Sequence, residues 1–436
     1  MQKRTHQVLQ SLAYLASLAL LAPAEAEINL VELVDHPSQP VTESNWSQPE
    51  HIRWMGRNFS VKPSRILARG KDVYDLPVGK TMNLESMQFT APGAARAVSM
   101  LEAFTTASVD GCIVIKDGQV VYERYFDGFS ESSHHSWFSA AKSLIGMAIG
   151  ILVNEGKIAL TKSPANYLSA LKGSAFESVT IQQVLNMRSA LDYTFHSNAM
   201  TPGGLRYEYQ LRAGIFANSH LASGAPTQSG PRGVRAMLPF VKPSTELKPG
   251  ESFVYQNANV DVVGWLIEEV SGMPLHQFIR ERVWVQLQTE HDALMNTDPN
   301  YTVLASGGLS STLRDAARFG LAVLDNGKLN GREIFPATWV GATRNFSRAD
   351  QQAFAKHTRF QGADMSALGA IKAYKNYWYI YDREQGAMAS RGFAGQFVYV
   401  NKTQNLVMAV FSGASTDQNH ERDRLMHFAH LLANRI

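Results

Sequence analysis

A serine and a lysine stand three residues apart in Ser139-Ala140-Ala141-Lys142. On a helix such residues share a face, so the Lys142 amine reaches the Ser139 hydroxyl. A hydroxyl becomes a useful nucleophile when a base takes its proton. A lysine is that base only when neutral, the form that burial favours. Leu144, Ile145, Met147, Ala148, Ile149, Ile151 and Leu152 follow, apolar nearly all round, and Gly156 stops the run. The pattern predicts a buried helix over residues 139–155. A helix start also offers free N–H groups and a positive dipole end, both suited to a developing oxyanion. Taken alone, Ser139 reads equally as an ordinary N-cap. The same spacing recurs in Ser169-Ala170-Leu171-Lys172, but Gly173 follows and no long apolar helix lies behind, so that copy reads as structural.

Tyr255-Gln256-Asn257 is a second candidate, between the turn Lys248-Pro249-Gly250-Glu251 and a helical pattern from Val260. From such a loop the Tyr255 phenol can pass a proton to a leaving group, and Asn257 can hold Lys142 or substrate. The alternative is a packed tyrosine; Tyr374-Lys375-Asn376 and Tyr399-Val400-Asn401 share the pattern, and Tyr399 lies inside a strand pattern. A third candidate is Gly392-Phe393-Ala394-Gly395-Gln396, where glycines allow close backbone approach and a strand-edge N–H can complete an oxyanion hole. A bulge or turn explains the glycines equally well.

Other chemistries find less support. The chain lacks Gly-x-Ser-x-Gly, His-Glu-x-x-His, a Gly-Lys-Ser/Thr phosphate loop and any cysteine pair for zinc. His427 and His430 share a helix face without a carboxylate at ligand spacing, and adjacent His134 and His135 point apart if extended. Cys112, the single cysteine, excludes an intrachain disulfide and reads as a small buried apolar residue. No metal or cofactor is called for. The formal charge of +3, from 41 basic and 38 acidic residues, gives no electrostatic case for nucleic acid. With 436 residues, 45% of them hydrophobic, the chain supports a sizeable core.

The elements that must position these residues are legible in outline. Residues 1–26 read as a secretory signal: Lys3, Arg4 and His6, an apolar stretch too short to span a bilayer, then Ala24-Glu25-Ala26. Cleavage leaves no integral membrane segment and implies a periplasmic or secreted protein. Residues 27–60 read as an extended, proline-punctuated arm, and 84–107 as a helix; together 27–105 form an N-terminal arm and first helix. Asp117-Gly118 joins two strand patterns, 112–115 and 120–126, into a hairpin. Helices are expected over 260–270, 312–325 and 422–434, and strands over 377–381, 395–400 and 406–411. Strands at both ends with helices between predict an α+β fold. In it, residues 106–436 form one domain, an antiparallel sheet flanked by helices with a mostly helical region, about 157–330, inserted. No feature sets an oligomeric state.

In this order the motifs resemble the serine β-lactamase and penicillin-binding superfamily, closest to its class C branch and, within that, to the 6-aminohexanoate-dimer hydrolases and related esterases. The likeness is carried by Asn45-Trp46-Ser47-Gln48-Pro49, the Cys112 hairpin, Ser136-Trp137-Phe138-Ser139-Ala140-Ala141-Lys142-Ser143, Val184-Leu185-Asn186-Met187-Arg188-Ser189, Phe253-Val254-Tyr255, Ser306-Gly307-Gly308-Leu309 and Gly392-Phe393-Ala394-Gly395-Gln396. It implies Ser139 as nucleophile, Lys142 as its base, Tyr255 as proton relay, and the N–H groups of Ser139 and Phe393 as the oxyanion hole. Tyr193 resembles a substrate-contacting tyrosine, and Asn257 and Gly392 orient the site. One departure matters: Ser390-Arg391-Gly392 stands where lactamases carry Lys-Thr-Gly. Missing that lysine favours a hydrolase of small ester or amide substrates over a β-lactamase or a penicillin-binding-type peptidase. A non-catalytic cell-wall binder would have no need of the full Ser139, Lys142, Tyr255 and Asn257 set.

Overall fold

A computed structural model describes residues 41, 48–90, 95–192, 205–214, 230–356, 371–414 and 419–436. The predicted signal and Tyr193 lie outside the described residues. Asp117 and Gly118 take φ angles of 51° and 78°, the pair a tight hairpin requires, and turn Val109–Lys116 back into Gln119–Tyr125. The hairpin forms one edge of a seven-stranded antiparallel sheet. Next come Leu406–Ser412, Phe397–Asn401, Ala387–Arg391, Trp378–Asp382 and Ala373–Lys375. Early and late parts of the chain therefore share one sheet, with Val410 opposite Cys112 and Val407 opposite Ile115.

Every residue of Phe397–Asn401 and Leu406–Ser412 is buried, because helices cover both faces. Alternation along Phe397–Asn401 assigns the two sides. Val398 points at the helix Leu313–Leu324, where an added Cβ at Gly320 would meet its Cγ1 at 2.9 Å. Tyr399 points the other way, and its hydroxyl lies 2.9 Å from His430 Nδ1 on the helix Asn419–Ala433. The architecture is the expected α+β fold. Among the described residues, no helix is long and apolar enough to cross a membrane.

Several local expectations change. Among the described residues of 84–107, only Met100–Thr106 is helical; Ser99 caps it by accepting the Glu102 N–H at 3.1 Å, and the short strands Gln88–Phe89 and Val98–Ser99 precede it. The Pro92-Gly93 pair between those strands opposes a continuous helix. The arm is not extended throughout: Ile52–Arg57 is a helix. The largely helical middle also contributes strands. Ala293–Asn296 and Leu309–Ser311 join Ser64–Leu67 and His135–Ser136 in a second antiparallel sheet. Such strands of two to four residues are too short to show a period. Cys112 is fully buried. His134 and His135 do diverge, His134 onto the Asp292 carbonyl at 2.8 Å and His135 into the interior.

Candidate active site

Ser139 enters its helix through a strained turn. Phe138 has φ of 44°, in the left-handed region, which costs a residue with a Cβ about 1–2 kcal/mol. Hydrogen bonds hold the turn. The Phe138 N–H donates to Ser136 Oγ at 3.0 Å. The Trp137 N–H donates to the Leu309 carbonyl, and its indole N–H to Ser311 Oγ, both at 2.8 Å. A 3-10 turn, Phe138–Ala140, then feeds the helix Ala141–Asn154. The N-cap is Ala140, with no side-chain cap, so the capping role is not what Ser139 performs.

This helix is seated by close approach. A Cβ added at Gly146 would lie 2.2 Å from the Asn376 carbonyl oxygen, and one at Gly150 2.2 Å from the Trp339 ring. Glycine within a helix costs about 1 kcal/mol against alanine. Here it admits the Trp339 indole N–H, which donates to the Gly146 carbonyl at 2.8 Å, while Ser143 Oγ–H donates to the Tyr377 carbonyl at 2.6 Å. The helix that follows Ser139 is thus held along its length.

Lys142 is 1% exposed. Its Nζ donates to Ser139 Oγ at 2.9 Å and to the Ser306 carbonyl, and sits 5.0 Å from the centre of the Tyr255 ring. Burial pulls its pKa down to about 7, against the opposing charge of Asp261. Asp261 is itself buried, which pushes its pKa up to about 6 despite two bonds to it. The Ser306 N–H donates to Oδ1 at 3.0 Å, and the Tyr209 hydroxyl to Oδ2 at 2.8 Å. Ser306 therefore holds the lysine with its carbonyl and the aspartate with its amide. A lysine whose charged form burial disfavours, beside a serine hydroxyl, has the chemistry of a general base.

Around this buried pair stand partly exposed residues: Ser139, Tyr255, Asn257, Gly392 and Phe393. Tyr255 is both packed and beside the lysine, since its ring meets Tyr374 at 6.4 Å and Phe253 at 6.5 Å. Asn257 opens the helix Asn257–Ser271, but its Nδ2 donates to Gln210 Oε1 at 3.2 Å; among the described residues it does not hold Lys142. A Cβ added at Gly392 would fall 2.2 Å from the Trp137 carbonyl oxygen. Only glycine lets the strand Ala387–Arg391 end against the turn that carries Ser139, and this brings Phe393 alongside, its ring 5.7 Å from that of Phe138. Among the described residues, neither the Ser139 nor the Phe393 N–H donates a hydrogen bond. The Arg391 guanidinium lies 5.2 Å from the Tyr379 ring, on the sheet face where Tyr379 packs against Tyr374.

A family model described as Beta-lactamase matches residues 99–431. The chain belongs to the beta-lactamase family. A 6-aminohexanoate-dimer hydrolase of Paenarthrobacter ureafaciens is 24% identical over 383 residues, spanning 87% of this chain and 90% of that protein. A solved structure from Bacillus anthracis, provisionally named 6-aminohexanoate-dimer hydrolase, superposes with a TM-score of 0.77 at 27% identity, covering 92% of this chain and 99% of that one. A penicillin-binding protein homologue from Pyrococcus abyssi shares the fold, with a TM-score of 0.52 at 18% identity over 76% of each chain. This chain is a beta-lactamase-fold hydrolase.

Two residues of this site were given no role in the motif reading: Asp261, and Ser306, which was quoted only as part of Ser306-Gly307-Gly308-Leu309. Asp261 had a signal: a lone carboxylate in the apolar run Val260-Asp261-Val262-Val263. Ser306 acts through its backbone, which side-chain patterns do not report. Among the described residues, no group of three His, Cys, Asp or Glu is placed to hold a metal ion.

Proposed function

We propose that the protein hydrolyses an ester or linear amide through an acyl-enzyme on Ser139. The observation that carries the reading is the 2.9 Å bond between a buried, near-neutral Lys142 and Ser139 Oγ. Lys142 takes the hydroxyl proton as Oγ attacks the substrate carbonyl. The N–H groups of Ser139 and Phe393 receive the oxyanion, and Tyr255 protonates the departing alcohol or amine. Water activated by Lys142 or Tyr255 then releases the acid. The names of the Paenarthrobacter and Bacillus relatives make short linear amides, 6-aminohexanoate dimer among them, the first substrates to try. Residues 1–26 act as an export signal, which places the mature protein in the periplasm or outside the cell.

Intact-mass analysis after treatment with a fluorophosphonate tests this directly. One adduct is expected on the mature protein and none on Ser139→Ala, which should also lose turnover. Full activity in pure Ser139→Ala protein sinks the mechanism. Strong labelling by a fluorescent penicillin, with no ester or amide turned over, would move the assignment to β-lactams.

A further inference from the structure

The helix Ile52–Arg57 and the turn Phe59–Val61 precede the stretch that the family model matches, which starts at residue 99. They nevertheless pack on the catalytic turn. Ile52, Met55 and Phe59 form one small apolar cluster with Phe138 and Ala394, against which Trp54 and Phe393 also rest. The Phe59 ring meets Phe138 edge-on at 5.3 Å, and Phe138 meets Phe393 edge-on at 5.7 Å. These rings belong to, or adjoin, the two residues whose amides receive the oxyanion in the proposed reaction.

Both sides of that pair are strained. Phe138, just before Ser139, and Ala394, just after Phe393, have φ of 44° and 60° without being glycine. Left-handed residues of this kind persist only when their surroundings over-determine them. The arm supplies part of those surroundings, and it is firmly anchored. Arg53 Nε and Arg57 Nη2 reach Asp110 Oδ1 at 2.7 and 2.6 Å, and Arg53 Nη2 reaches Asp127 at 2.6 Å. Asp110 is fully buried, and its other oxygen lies 3.2 Å from His135 Nε2. Gly56 rides directly on that histidine: an added Cβ would lie 2.6 Å from the ring. His135 starts the very strand that runs into Trp137-Phe138-Ser139.

We infer that the N-terminal helix is a positioning element of the active site: Phe59, clamped by the Arg53/Arg57–Asp110 anchor, wedges Phe138 and through it Phe393, holding the two oxyanion amides in place. The inference rests on the acyl-enzyme reading above. It predicts that the arm controls transition-state binding while leaving ground-state binding and the lysine alone.

The series Phe59→Leu, Phe59→Val and Phe59→Ala tests it in the full chain. Wild-type protein is first labelled with fluorophosphonate; absence of a Ser139 adduct overturns the acyl-enzyme reading and this inference with it. Given labelling, kcat should fall progressively with side-chain size. The alanine variant should lose roughly tenfold to a hundredfold, part of the 10²–10³ that a whole oxyanion donor supplies. KM should stay within about twofold, and the midpoint of the pH–rate profile should not move. Affinity for an aryl boronic acid, which mimics the tetrahedral adduct, should fall in step with kcat. Phe59→Leu should keep most of both, and its milder change keeps the test readable if the alanine variant does not fold. The inference is overturned if the folded members lose only thermal stability, or if kcat falls while boronate affinity stays at the wild-type value.

Discussion

The pH dependence of turnover is where the geometry around Lys142 is most exposed to refutation. With a pKa of about 7, roughly 70% of Lys142 is neutral at pH 7.4, against roughly 0.1% for an unperturbed lysine near 10.4, a gain of several hundredfold in usable base. In the proposed mechanism the neutral form is the active one, so kcat/KM should rise as pH climbs, with an acid limb centred near 7. At pH 6 the rate should be roughly tenfold below the plateau. Asp261→Asn removes the one charge that raises the lysine pKa, so the limb should move to lower pH and the rate at pH 6 should increase relative to the plateau. The change is gentle on the fold. The Ser306 N–H still finds an amide oxygen, and the Tyr209 hydroxyl, which now donates, can turn to accept instead. The assay is kcat/KM for a nitrophenyl ester between pH 5.5 and 9.5, corrected for the ionisation of the product. A wild-type limb centred above pH 9 would refute the neutral-base argument. A limb that moves upward in Asp261→Asn would refute the assigned role of the carboxylate.

Two further expectations concern the frame around the site. Gly392→Ala places a Cβ against the Trp137 carbonyl oxygen, within 2.2 Å in the unrelaxed structure. The strand end must withdraw, and kcat should drop by about 10² or more, with fluorophosphonate labelling slowed to match. Asp110→Asn leaves Arg53 and Arg57 without their buried counter-charge and should cost about 3 kcal/mol in urea unfolding at pH 7. Burial would raise the Asp110 pKa, but His135, Arg53 and Arg57 hold it at about 2. A lowered pKa contributes stability that is complete above the unfolded value, near 3.9, and is lost as pH falls through about 2. The gap between wild type and variant should therefore be level from pH 5 to 8 and close below pH 4.

The sequence was most readable where a local rule applied. Asp117-Gly118 announced its hairpin, the apolar run after Lys142 announced a buried helix, and Ser139 with Lys142 needed only helical spacing to meet. It was least readable where the contact is distant. Nothing near Asn257 in the chain indicates that its amide bonds Gln210, and nothing near Asp110 indicates that Arg53 and Arg57 converge on it. The second sheet is built from strands too short to impose alternation, each stabilised by partners far along the chain. The arm was misread for the same reason: its helix has only six residues, too few to be stable alone, and it exists because its apolar side and its two arginines find the body of the protein.

Ser139 and Lys142, nucleophile and base in the proposed reaction, sit three residues apart where a 3-10 turn runs into a helix, whereas the other proposed participants come from different stretches of chain: Tyr255 from a loop, Phe393 from beyond the end of a sheet strand, Ser306 from a distant segment. The serine–lysine separation is therefore a matter of helical pitch, indifferent to how the rest is rebuilt. In the proposed reaction, changes confined to segments that carry none of Phe59, Tyr255, Ser306, Gly392 and Phe393 are the ones expected to alter which substrate is admitted while leaving the attacking step in place. For an engineer the molecule suggests a division of labour: keep the turn, its helix and the segments that carry Phe59, Tyr255, Ser306, Gly392 and Phe393, and vary the rest of the cleft to redirect the proposed reaction.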